Sequence, residues 1–239
     1  MQHQFEAFID DLRSTHGENL AAVILYGSAA AGDFVPKVSD YNLLIALRRI
    51  APEDLRNAHA SVREWHRLGH PVPVYFTVSE LQNAADVFPI EFHQMEAARR
   101  VLYGTDVLKG LKISDTFLRH QVEYELRSKL LLLRRRYIPA SGSVDGLKHL
   151  MSESFSSFTA LFWAVLLLHG IQPPPTKHEI VAMTVERLHL DAGVLERVLN
   201  LREDNLAGEL DETGANRLFG EYLEQIEKVI DSVDSVGRS

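Results

Sequence analysis

The apolar run LAAVILY at residues 20–26 stops at Gly27–Ser28, and the next apolar run, NLLIAL, opens behind Asp40 with Asn42 at its head. Seven apolar residues closed by a glycine read as a short buried strand. Asp40 stands twelve residues after Ser28, and Asp40 and Asn42, two apart on a second strand, project to one face of a sheet. Ser28 can cap a short helix whose unpaired backbone donors would face a phosphate. Each residue also has a plain structural use: Ser and Asp cap turns and strands, and Asn satisfies buried backbone.

The flanking sequence supplies the rest of an α/β domain. Phe5, Phe8, Ile9 and Leu12 recur at helical spacing and give an opening helix ended near Gly17. VSDYNLLIAL and VPVYFTV read as second and third strands. Leu55, Ala58, Val62, Trp65 and Leu68 between them mark one helical face. Strand, helix and strand in that order predict a mixed or parallel sheet covered by helices. Ser79 and Pro89 mark helix starts, with IEFHQMEAARRVLY read as helix after the proline. Gly104 and Gly110 punctuate the chain, and the pattern changes across residues 104–114.

Beyond that point the periodicity is helical. Leu118, Val122, Leu126, Leu130 and Leu133 form a stripe interrupted by PASGSVDG. A second helix over 147–169 becomes apolar almost all round and should be buried on several sides. PPP at 173–175 forces a stop, and Thr176 with Glu179 forms a capping box for a third helix. A last helix spans Ala215 to Val233. Four major helices with short links predict a bundle. The expected fold is therefore an α/β domain with a small mixed sheet over residues 1–110 and an all-helical bundle over 111–239.

Composition narrows the function. Hydrophobic residues are 46% of the 239 and charged residues 24%, enough apolar material for a sizeable core. The net charge is -8, and residues 200–239 carry 10 acids against 4 bases, so a polyanion such as nucleic acid meets an unfavourable field. With no cysteine, disulfides, thiolate catalysis and sulfur-ligated metals are excluded. The N-terminus lacks an apolar secretory core, and FTALFWAVLLLHG is too short for a confident membrane span. A cytoplasmic protein is expected.

On the strand, GS, fixed gap, polar pair and second strand of residues 20–47, the sequence resembles the polymerase-β-like nucleotidyltransferase superfamily and, within it, small bacterial aminoglycoside-type enzymes. The resemblance is looser to about residue 108, where YGTDVL looks like the junction to an accompanying bundle. It implies that Gly27, Ser28 and Asn42 line a nucleotide site and that Asp40 corresponds to the first metal-binding acid. It also implies ATP and Mg2+ as cofactors and a small hydroxyl compound as acceptor. A bundle carboxylate would activate that acceptor, and Glu153, among the serines of SESFSS, is the residue assigned to the task. Asn42 occupies the second acid's position, and VPVYFTV holds no acid where a third belongs. Paired divalent ions need anionic oxygens to hold them together. A catalytically weakened homologue that retains nucleotide or partner binding is therefore expected. The alternatives are an active magnesium-dependent enzyme drawing ligands from Asp33, Glu80 or Asp86, and an antitoxin-like interaction protein, monomer or homodimer, paired through its apolar helix.

Other candidates are weaker. Arg134, Arg135 and Arg136 can receive a polyanion but also suit a solvated helix end. Arg99 and Arg100 stand likewise, and Glu123 and Glu125 are further bundle carboxylates. The 11 histidines include no HExxH pattern; His66 and His70 are separated by a glycine at a helix end. Tyr41 and Tyr75 can stack on a base or fill the core.

Overall fold

The computed structural model describes residues 2–31, 41–174, 176–202 and 210–236. The chain divides into two compact units, Met1–Phe117 and Leu118–Ser239.

In the first unit the opening helix α1 (Gln2–His16) leads into β1 (Leu20–Tyr26), followed by the single turn α2 (Ser28–Ala31) and β2 (Asn42–Leu47). Two short helices, α3 (Pro52–Asn57) and α4 (His59–Arg67), cross to β3 (Val74–Thr77). The expected single helix is thus broken at Ala58, whose N–H turns back to the carbonyls of Asp54 and Arg56. Then come α5 (Val78–Asn83), α6 (Pro89–Ala97) and β4 (Arg99–Gly104). The four strands lie in the order β3-β2-β1-β4. β1 is antiparallel to both neighbours, and β2 and β3 are parallel, as the intervening helices require.

β4 corrects the helical reading of IEFHQMEAARRVLY. Pro89 does open α6, but Ala98 is extended at φ -147, and Arg99 to Gly104 pair with β1 from Tyr26 back to Ala22. Arg-Arg-Val-Leu-Tyr also fits one helical turn. The unpaired edge of β1 is what makes it a strand, because tertiary pairing overrides local preference. Gly104 fits there because it carries no Cβ: at φ +76 a side chain would overlap the Ala21 carbonyl oxygen.

Strand alternation splits the core. Val23, Leu25, Leu43, Ile45 and Leu47 face Phe5, Phe8 and Leu12 of α1 and Trp65 of α4. Ala22, Ile24, Leu44 and Ala46 face Leu81 of α5, Phe92 and Met95 of α6, and Leu108 beyond β4.

The second unit is a helical bundle of α7 (Leu118–Ala140), α8 (Val144–Leu168), α9 (Lys177–Leu188), α10 (Ala192–Arg202) and α11 (Glu212–Ser235). α10 is a fifth helix that the periodicity did not separate; His189, left-handed at φ 53, ends α9 ahead of it. α7 runs through Pro139 into its last turn. The capping box forms as expected: Thr176 Oγ1 accepts the Glu179 N–H at 3.2 Å, and the Glu179 carboxylate takes the Thr176 N–H at 3.3 Å.

α8 is the central helix and touches α7, α9, α10 and α11. Phe158, Leu161, Phe162, Ala164, Val165 and Leu166 are buried in this unit. By length and composition α8 could cross a membrane, yet 56% of its most apolar window is buried within the protein.

Candidate functional site

The site the sequence points to lies where β1 ends and β2 begins. Tyr26 and Asn42 are register partners there. Gly27 follows at φ +79, a conformation that favours glycine; its N–H donates to the Ala98 carbonyl at 3.1 Å, and its own carbonyl accepts the Ala30 N–H at 2.9 Å to close α2. A Cβ on Gly27 would lie 3.4 Å from Asn42 Nδ2, so the bare glycine backbone and the Asn42 amide face one another. Ser28 opens α2. Asp40 and Asp33 lie outside the described residues.

Asn42 is half-buried and, by alternation, shares its face with Leu44 and Ala46. Tyr26 packs at the margin of the same cluster. Burial raises the pKa of its hydroxyl, and the charge of Glu91, in the first turn of α6, raises it further. Glu91 is a carboxylate that the sequence reading missed. It sits in the run IEFHQMEAARRVLY, read only as helix, and only the packing of α6 on the sheet brings its charge within reach of Tyr26.

Of the alternative acids, Glu80 and Asp86 lie within the described residues. β3 carries none between Val74 and Thr77. Glu80 accepts the Thr77 N–H at 2.7 Å as part of the α5 capping box, and its bonds to the Thr77 backbone and side chain hold its pKa below the ordinary value. Asp86 is exposed in the turn after α5. Among the described residues no three His, Asp or Glu side chains are grouped to hold a metal ion. Asn42 offers a neutral carbonyl but no charge.

In the helical unit Glu153 is half-exposed on α8, with Oε2 accepting from Arg136 Nη1 at 3.0 Å and lying 3.9 Å from His149 Nε2, too far for a hydrogen bond. It lines a groove of about 160 Å³ between α7 and α8. Glu123 is held between Arg119 and Arg127, each at 2.9 Å, and the hydrogen bond from Arg127 is the main reason its pKa is lowered. Arg134 pairs with Glu227 and Arg136 with Glu153, so two members of the arginine run are engaged along the helix surface. Arg99 holds Asp106 at 3.1 Å. His66 Nδ1 meets the His70 carbonyl at 2.9 Å, which makes a helix-end bond and not a metal pair. Tyr41 packs edge-on to Phe5 at 5.0 Å within the core, and Tyr75 faces His16 at 6.2 Å, so both aromatics belong to the packing of the first unit.

A small mixed sheet with this order, followed by a helical bundle, is the polymerase-β-like nucleotidyltransferase fold. Among solved structures the chain is similar to the crystal structure of spectinomycin adenyltransferase AAD(9) from Enterococcus faecialis with ATP and spectinomycin, at a TM-score of 0.63 and 13% identity over 98% of this chain and 99% of that one. No family model matches the chain. No curated protein sequence does either. The likeness is one of fold.

Proposed function

We propose that this is a nucleotidyltransferase-like protein of weakened or absent catalysis that retains nucleotide or partner binding. The observation that carries the reading is Asn42: a neutral amide stands against Gly27 at the strand ends, where the resemblance calls for a carboxylate. The acid-free β3 and the engagement of Glu80 in its own cap support it further. In this reading Gly27 and Ser28 receive the nucleotide phosphates through backbone donors, and Asp40 supplies the one acid of the original pair. ATP is the proposed nucleotide, with Mg2+ held weakly, and the protein works in the cytoplasm. The likeness to a structure holding ATP and spectinomycin supports the choice of ligand class.

Glu91 favours a second reading, an active magnesium-dependent enzyme transferring a nucleotidyl group from ATP to a small hydroxyl compound. Its charge acts on the Tyr26 hydroxyl at the end of β1, and in this reading it stands in for the missing strand acid. In that reading Glu153 activates the acceptor, and its ion pair with Arg136 would have to open for it to do so.

Calorimetry with ATP, with and without magnesium, separates the two, run beside a labelled-nucleotide transfer assay over a panel of hydroxyl acceptors. ATP binding that ignores magnesium, with no transfer, supports the first reading; magnesium-dependent transfer establishes the second. Asn42→Asp is expected to make ATP affinity respond to magnesium, since it restores negative charge at the head of β2. A folded variant that binds ATP with an unchanged magnesium response would reject Asn42 as a former ligand position.

A further inference from the structure

The groove of about 160 Å³ between α7 and α8 carries more chemistry than one carboxylate. Leu133, Leu150 and Phe158 form its apolar wall, and Lys129, Arg136, Glu153, Ser154 and Ser157 supply its polar groups. Several of these are already engaged. The Ser154 hydroxyl donates to the Met151 carbonyl at 3.1 Å and lies 3.3 Å from the Tyr222 hydroxyl, deep in the bundle. Glu153 accepts from Arg136 at 3.0 Å.

The open groups that can donate are the Lys129 ammonium and the Ser157 hydroxyl. Among the described residues Lys129, half-buried on α7, has no acidic partner, and the Ser157 hydroxyl makes no hydrogen bond. Arg136 and Glu153 offset each other, so the groove carries the single uncompensated positive charge of Lys129. A half-buried cation beside a free hydroxyl and an apolar wall matches an acceptor of one negative charge attached to a short hydrocarbon body. A phosphate dianion would exceed that charge and sit near Glu153. An amine would meet Lys129 with like sign.

We propose that the groove between α7 and α8 is a binding site for a small organic carboxylate with an apolar body, its carboxylate held by Lys129 and Ser157 and its body laid on Leu133, Leu150 and Phe158. The site belongs to the helical unit alone and does not rest on the nucleotide reading.

The test is calorimetric titration of the full chain, without nucleotide, with hexanoate, hexylamine and inorganic phosphate. Hexanoate is expected to bind saturably and the other two at least about tenfold more weakly. Lys129→Met should lower hexanoate affinity about tenfold and Ser157→Ala about threefold, matching the loss of a charged and of a neutral partner. Lys148→Met, on α8 outside the groove, should bind as the parent does. Circular dichroism reports whether each variant is folded; should Lys129→Met fail to fold, Ser157→Ala and the three-ligand comparison decide. Absent hexanoate binding, equal binding of hexanoate and hexylamine, tighter binding of phosphate, or an unchanged affinity in folded Lys129→Met would each overturn the proposal. None of these results bears on ATP binding, so the two proposals fail separately.

Discussion

The two faces of the four-stranded sheet are packed by different means. The face under α1 and α4 is an aromatic cluster: Phe8 stacks on Trp65 at 4.8 Å, Phe5 meets Tyr41 at 5.0 Å, and His70 lies 4.4 Å from Trp65. Within it, His16 Nδ1 and Nε2, Trp65 Nε1 and the Tyr75 hydroxyl are buried without a hydrogen-bond partner among the described residues. The face under α5 and α6 is built on Ala22 and Ala46, both fully buried, and keeps its polar groups, Asn42 and Tyr26, at the margin. Large rings fill space but leave polar atoms stranded; small residues admit close helices and tolerate little change. The candidate site borders both: Asn42 shares the second face by alternation, while Ala29 and Ala30 of α2 pack against the first.

The seam between β1 and β4 is where disruption should be greatest. In Gly104→Val the new Cβ would overlap the Ala21 carbonyl oxygen and lie 2.9 Å from its carbon, at φ +76. A loss of about 4 kcal/mol is expected in urea unfolding. A loss below about 1 kcal/mol would mean that β4 shifts cheaply, and the seam would then not fix the strand ends.

Next in size is a direct comparison of the faces. Ala46→Leu adds three carbons to the close-packed face and should cost about 1–3 kcal/mol, whereas Leu12→Met on the aromatic face should cost less than about 1.5 kcal/mol. Equal losses from the two variants would show that the faces do not differ in tolerance.

How far this arrangement was legible in the sequence follows from the same physics. β1, β2 and β3 announce themselves because their apolar runs are bounded by Gly27, by polar residues and by turn signals. The Thr176–Glu179 box is legible because its partners are three residues apart. β4 was not, because Arg99–Tyr103 becomes a strand only by pairing with β1, a partner more than seventy residues earlier. The Gly27–Asn42 approach was half legible. Spacing placed both at strand ends, but only the antiparallel register set them side by side. Glu91 was not legible, since no local pattern says which helical acid will lie near Tyr26. The Lys129 groove was not legible, since only the packing of α8 on α7 brings Lys129 and Ser157 to one groove.

The aromatic face should also respond to pH. Burial lowers the pKa of His16 below its ordinary value, and the charge of Asp54 opposes this only partly. The native ring stays neutral where the unfolded ring takes up a proton. The contribution is therefore fully present above pH of about 6.5 and is lost as pH falls through that value toward the native pKa. His169 in the bundle is lowered likewise, by burial and then by Arg187, and it has a partner in Ser232 at 2.9 Å. Unfolding free energy measured from pH 7.5 down to pH 5 should fall in the parent and fall less steeply in His16→Leu. Parallel curves would place the acid sensitivity elsewhere.

The smallest expected effect is a gain. The Tyr75 hydroxyl has no partner among the described residues, and burial pushes its pKa well above that of a free phenol. Its aromatic ring is held in the cluster beside His16, so Tyr75→Phe keeps the ring and removes only the stranded oxygen. An unsatisfied buried hydroxyl costs about 1–3 kcal/mol of desolvation, and its removal should raise stability by about 1 kcal/mol once the small void is counted. The same deletion at Tyr222, whose hydroxyl lies 3.3 Å from Ser154, should lower stability, because there a hydrogen bond is lost with the oxygen. Urea unfolding of Tyr75→Phe and Tyr222→Phe beside the parent reads both signs. A loss at Tyr75 would mean that its hydroxyl is satisfied in solution, as by a buried water. The aromatic face would then be a hydrated polar core, and its contrast with the face that carries Asn42 would rest on packing alone.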